Sequence, residues 1–172
     1  LRDLLFLSVG QRCSLCELTA LVSDPGSAAQ PIHHDTVFDG SHPRVSILIA
    51  LQDVTRDMGP TLFFPRTNTP RWHQAHSEDD KELKELYSTT PHVLGTMRAG
   101  DAMLYDANVL HGGGANTSHG EGAARPSAGG MLLGDPGVRR SLMVLTVQME
   151  QGQNVLIRTN IRPGYRNRYH IP

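Results

Sequence analysis

The sequence predicts a mainly β domain, a sandwich or barrel of short strands with a little helix. Three observations predict it. Short runs rich in β-branched and aromatic residues recur along the chain, each bounded by Gly, Pro, Asp or Ser. The run Val45-Ser46-Ile47-Leu48-Ile49-Ala50-Leu51 is nearly continuous, apolar and β-branched at three positions, as a central strand should be. And one stretch alone, about Glu78 to Tyr87, carries a helical signature.

Taken in order, residues 1–22 read as short extended or helical pieces around Cys13-Ser14-Leu15-Cys16. No second Cys pair completes a zinc site, so two packed thiols are expected there. Ser23-Asp24-Pro25-Gly26-Ser27 is a turn. A short strand carrying His33-His34-Asp35 follows, and Gly40-Ser41-His42-Pro43 breaks the chain before the central strand. Thr55 to Pro60 is a turn into the strand Thr61 to Pro65. Ser77, with Asp80 three residues on, forms a capping-box pattern for the helix, and Leu83 and Leu86 supply its apolar stripe. Gly100-Asp101 turns into the strand Ala102 to Asp106, and Val109-Leu110-His111 comes next. Residues 112–138 are rich in Gly, Ala, Ser and Pro and have no periodicity. Arg139 to Val147 is a long strand, and the tail from Asn154 is basic and reads as a solvated surface segment. Residues 1–172 are expected to form one domain, with 119–138 an inserted loop that is either a mobile cover over the site mouth or plain disorder.

Composition narrows the function. At 172 residues, 38% hydrophobic and 19% charged, the chain is long enough to bury a core. A net charge of -1 predicts no general attraction to nucleic acid or anionic membranes, and 5% aromatics leave little to stack bases on. No apolar run approaches the roughly 20 residues of a membrane span, and the opening Leu1 to Leu7 is too short and too acidic for a signal peptide. Two cysteines make no disulfide framework, so an intracellular, reducing compartment, the cytoplasm, is expected. A small-molecule substrate is the expected partner.

Two short stretches carry the chemistry: Gln30-Pro31-Ile32-His33-His34-Asp35, and His111-Gly112-Gly113-Gly114-Ala115-Asn116. Alternation along a strand puts His33 and Asp35 on one face and His34 on the other. With the distant His111 they supply two imidazoles and one carboxylate, which can hold one face of an octahedral metal and leave the opposite positions open. That is the ligand set of non-haem Fe(II) oxygenases. His73-Gln74-Ala75-His76 competes at helical spacing but lacks the glutamate of a zinc-protease motif. The glycines after His111 are followed by no Gly-Lys-Ser/Thr of a phosphate loop.

The motifs, in their order, resemble the phytanoyl-CoA dioxygenase family of Fe(II)/2-oxoglutarate oxygenases. They are the His33-x-Asp35 stretch, Ile49 to Asp53, Met58-Gly59-Pro60-Thr61 to Pro65, Gly100-Asp101, His111-Gly112-Gly113 with Asn116 and Ser118, and Arg139-Arg140-Ser141-Leu142. The resemblance implies a double-stranded β-helix, a jelly-roll or cupin-like barrel with one or a few short helices. It implies His33, Asp35 and His111 as iron ligands, and Fe(II), 2-oxoglutarate and O2 as cofactor and cosubstrates. It implies hydroxylation of a small organic or lipid-like metabolite, with succinate and CO2 as coproducts. It also implies a late-strand arginine on the distal carboxylate of 2-oxoglutarate. That residue is expected to be Arg139, with Ser141 on the same face, Arg140 facing away, and Gly113 and Leu48 beside the cosubstrate. The chain departs from the family in three ways. It looks short, lacking an N-terminal part; Asn68 stands where a histidine-ended run is usual; and 119–138 separates the distal histidine from the arginine. Arg125 lies nearer but precedes Pro126. Relatives that pair the cosubstrate with a lysine are disfavoured, because no lysine follows Lys84. The rival from another class is a non-catalytic jelly-roll module that binds a structural metal or ligand.

Overall fold

The computed structural model describes residues 13–36, 44–78, 87–118 and 137–149. Seven strands follow one another: β1 (Cys13–Ser23), β2 (Arg44–Ala50), β3 (Thr61–Phe63), β4 (Val93–Leu94), β5 (Ala102–Asp106), β6 (His111–Gly113) and β7 (Arg140–Met149). They form two sheets, β1-β7-β2-β5 and β4-β3-β6, with every pairing antiparallel. This is the mainly β class that the pattern of short strands and turns predicts, and the jelly roll that the family resemblance implies.

The core lies between the sheets. Leu48, Ala50 and Leu142 from the larger sheet meet Phe63 of the smaller one, with Val54 in the same cluster. Ser46, Leu48 and Ala50 point inward from β2. The opposite face of the same sheet buries Val45 and Ile47 with Val147 and Cys13. A strand buried on both faces explains why Val45 to Ala50 reads as almost unbroken apolar sequence. Both cysteines are buried, as expected of packed thiols.

Gly59 shows why the turn before β3 needs glycine. It sits at φ 67°, and a Cβ there would come within 2.3 Å of the Gly114 carbonyl oxygen. The turn is thereby pressed against the segment that follows β6.

A helix begins earlier than the expected start. It runs Pro70–Glu78 as α1, opened by Pro70 in the first turn, where a missing N–H costs nothing. Trp72 and His73 both donate their backbone N–H to the Thr69 carbonyl. Ser77 therefore lies within the helix and is no cap; the start signal was the proline. The rest of the expected span, 79–86, lies outside the described residues, as do Leu1 to Leu7, the insertion from 119 to 136 with Arg125, and the tail from Asn154.

The ends of that insertion are described, and they meet. Ser118 Oγ donates to the Val138 carbonyl and accepts from the Val138 N–H, at 3.0 and 3.1 Å. The Asn116 amide bonds both Val138 O and Ser23 O. Ser118 and Val138 thus adjoin in space, so β7 follows closely from Ser118. Among the described residues no helix is long and apolar enough to cross a membrane.

Candidate metal centre

His33 and His111 are brought together by backbone pairing. Each donates its N–H to the other's carbonyl, at 2.8 and 3.0 Å, in an isolated antiparallel bridge. The segment carrying His33 is thus a single bridge and a bend, where a short strand was expected. Alternation still holds. The His33 and His111 rings lie 4.6 Å apart, while His34 turns away to stack on His73 and bond the Asn108 carbonyl.

Both site imidazoles are oriented alike. His33 Nδ1 lies 2.8 Å from Pro31 O, and His111 Nδ1 lies 2.9 Å from Val109 O. A carbonyl oxygen only accepts, so each Nδ1 carries the proton and Nε2 faces the site. Asp35 Oδ1 lies 3.3 Å from His111 Nε2 and 3.9 Å from His33 Nε2. The three residues offer donor atoms all within 4.8 Å of one another, a set that can hold one metal ion. His111 is buried, whereas the His33 side chain is 39% exposed, so the centre is reached from the His33 side.

The other Asp35 oxygen, Oδ2, accepts from Ser46 Oγ at 2.8 Å and Tyr105 OH at 2.9 Å. Burial works against the ionised carboxylate. The bond and charge of His111, with the Ser46 and Tyr105 bonds, outweigh it and hold Asp35 below its ordinary pKa. Burial likewise opposes the imidazolium of His111, but Asp35 and the Val109 carbonyl hold its pKa above the ordinary value. Burial, then the Asp35 charge, pushes the Tyr105 phenol far up.

The two arginines face the opposite way from expectation. Arg139 lies at the surface, its side chain 63% exposed and paired with Asp24. Arg140 is 2% exposed and turns inward with Leu142. The phase of β7, set by its pairing with β1 and β2, decides this: one residue of slip exchanges the faces, so Ser141 also points away from Arg140's face. The Arg140 Nε and Nη1 have no hydrogen-bond partner, and burial lowers the pKa of the group. Its Nη2 lies 3.0 Å from where a Cβ on Gly113 would stand, beside Gln30 Oε1. Gly113 is therefore glycine because Gln30 and Arg140 fill its space, and the Gln30 side chain also accepts from the Gly113 N–H at 2.9 Å. Leu48 is buried on the inner face, in the cluster that includes Leu142. Sequence reading missed Ser46, Tyr105 and Arg140. Ser46 had left one signal, as the lone polar residue in an apolar strand.

Residues 7–125 match the phytanoyl-CoA dioxygenase (PhyH) family profile. The dioxygenase aneA of Aspergillus aculeatus is 30% identical over 109 residues, which is 58% of this chain and 34% of that protein. The chain thus spans about a third of the length of the curated relatives it matches. Among solved structures, iron-bound EctD from S. alaskensis has a TM-score of 0.62 at 17% identity, covering 92% of this chain and 55% of that one. The epimerase SnoN, in complex with Fe3+, alpha ketoglutarate and nogalamycin RO, has a TM-score of 0.57 at 21% identity, covering 87% and 54%. At such identities these two structures establish the fold. The profile match, over more than half of the 172 residues, establishes that the chain belongs to the phytanoyl-CoA dioxygenase (PhyH) family of Fe(II)/2-oxoglutarate-dependent dioxygenases.

Proposed function

We propose that this protein hydroxylates a small organic or lipid-like metabolite, using Fe(II), 2-oxoglutarate and O2 and releasing succinate and CO2. His33 Nε2, Asp35 Oδ1 and His111 Nε2 hold the iron, and Arg140 receives the distal carboxylate of 2-oxoglutarate. The observation that carries the reading is the Arg140 guanidinium. A buried cation with two unpaired N–H groups, on the inner face beside a candidate metal centre, is costly unless an anion joins it.

The geometry fits a diacid. His111 and Gly113 stand two residues apart on one strand, roughly 7 Å, and the Arg140 fork sits over Gly113. A five-carbon diacid can place one end at the metal and the other on Arg140. Its methylenes then lie against Leu48 and Leu142, which are apolar and buried.

Bound iron supplies O2 activation coupled to decarboxylation of the cosubstrate. The chain's own part is positional. Pro31 and Val109 hold the imidazole protons away from the metal, Arg140 orients the cosubstrate by its two-pronged fork, and the inner apolar rows exclude water. Asp35 fills the position that a halogenating relative leaves for chloride, which supports hydroxylation.

The test is anaerobic titration of the Fe(II) protein with 2-oxoglutarate. A weak visible charge-transfer band should grow, and O2 with a cell extract should then yield succinate and metabolites heavier by one oxygen. A binding module would give no band and no succinate.

A further inference from the structure

Four polar side chains cross the inner face of the large sheet in a single row. Glu17 of β1 pairs in register with Thr146 of β7, Thr146 with Ser46 of β2, and Ser46 with Tyr105 of β5. Their side chains touch in the same order. Thr146 Oγ1 donates to Glu17 Oε2 at 3.1 Å, Thr146 and Ser46 hydroxyls lie 3.2 Å apart, and Ser46 and Tyr105 both donate to Asp35 Oδ2. The two neighbouring rows toward Arg140 are largely apolar: Leu48, Val144 and Met103, then Ala50, Leu142 and Leu21.

A polar row in an apolar wall needs a reason, because unpaired hydroxyls there would be destabilising. The reason lies in how the two oxygens of Asp35 divide. Oδ1 faces both histidine Nε2 atoms, whereas Oδ2 is fully engaged by two O–H donors. A carboxylate held this way cannot rotate without losing two hydrogen bonds.

We infer that Ser46 and Tyr105 are positioning residues that fix Asp35 so that it meets the metal through Oδ1. This rests on the metal-site reading above. One-oxygen ligation by Asp35, with two imidazoles, leaves three positions of an octahedral ion for the cosubstrate and O2.

The test is titration of the metal-free protein with Co(II), which binds without turnover, followed by calorimetry. Tyr105→Phe keeps the ring against Phe63 and His111 and deletes only the donor. Ser46→Ala deletes the other donor. Each should weaken Co(II) binding about tenfold, and the double variant about a hundredfold, as loss of outer partners of a ligand does. Melting of the metal-free protein separates this from damage to the fold. Met103→Ala, an apolar truncation one row away, should lower the melting temperature and leave Co(II) affinity unchanged. Should Ser46→Ala fail to fold, Tyr105→Phe alone decides. Wild-type affinity in both hydroxyl variants, with Asp35→Ala binding nothing, overturns the positioning role alone. Wild-type affinity in Asp35→Ala overturns the metal-site reading, and this inference with it.

Discussion

Replacing Arg140 by Met should do two opposite things. In the cosubstrate-free protein it removes a 2%-exposed guanidinium whose Nε and Nη1 have no partner, and puts an apolar chain among Leu142 and its neighbours. Exchanging a buried charge for apolar volume is neutral or stabilising by about 1–4 kcal/mol, so the melting temperature should hold or rise. With 2-oxoglutarate present the sign turns. Removing one partner of a buried ion pair costs about 3–5 kcal/mol, and at roughly 1.4 kcal/mol per decade that is a hundredfold loss of affinity or more. Arg139→Ala is the control. Its side chain is 63% exposed and paired with a 60%-exposed Asp24, a class of ion pair that contributes about 1 kcal/mol at most. The assay is calorimetric titration of the Co(II)-loaded protein with 2-oxoglutarate, alongside thermal melts with and without it. Unchanged cosubstrate affinity in Arg140→Met, or a hundredfold loss in Arg139→Ala, would show that the facing of this strand has been misread.

Three further outcomes follow from the same geometry. Co(II) binding should be abolished in His33→Ala and His111→Ala but kept in His34→Ala, whose ring bonds Asn108 O and stacks on His73; equilibrium dialysis decides, and metal loss in His34→Ala alone would reverse the assignment. The metal-free protein should be most stable between about pH 3.8 and 6.5. Stability from the raised His111 is lost as pH climbs from 6.5 through its folded value, and stability from the lowered Asp35 is lost as pH falls from 3.8 through its own; denaturant titrations across pH measure both limbs, and stability still rising above pH 6.5 would exclude the pairing. Excising 119–136 and bridging Ser118 to Gly137 with two glycines should leave melting temperature and Co(II) affinity close to wild type, because Ser118 and Val138 already bond each other; loss of folding would mean the excursion supports the core.

Much of the centre was legible in the sequence because its signals are local. His33 and Asp35 lie two residues apart, so extended backbone turns them together whatever surrounds them, and a single bridge in place of a strand changed nothing. The sequence reading placed a helix start at Ser77, whereas Pro70 opens a helix seven residues earlier; Glu78 and Tyr87, the ends of the expected span, are both helical. The long interval before the arginine hid a simple fact: Asn116 and Ser118 both bond Val138, so sequence distance overstates spatial distance.

By itself the sequence determined the strand-rich class, the inner and outer alternation of each strand, and the two imidazoles and carboxylate available to a metal. These depend on residue type and on a period of two, which neighbours alone impose. Tertiary structure decided which of two adjacent arginines enters the barrel, since Arg139-Arg140 fits either face and only pairing of β7 with β1 and β2 sets the phase. It decided, too, that Glu17, Thr146, Ser46 and Tyr105 share one row. Four residues on four strands become neighbours through register, and register is fixed by cross-strand hydrogen bonds and burial of whole faces, which no local pattern encodes.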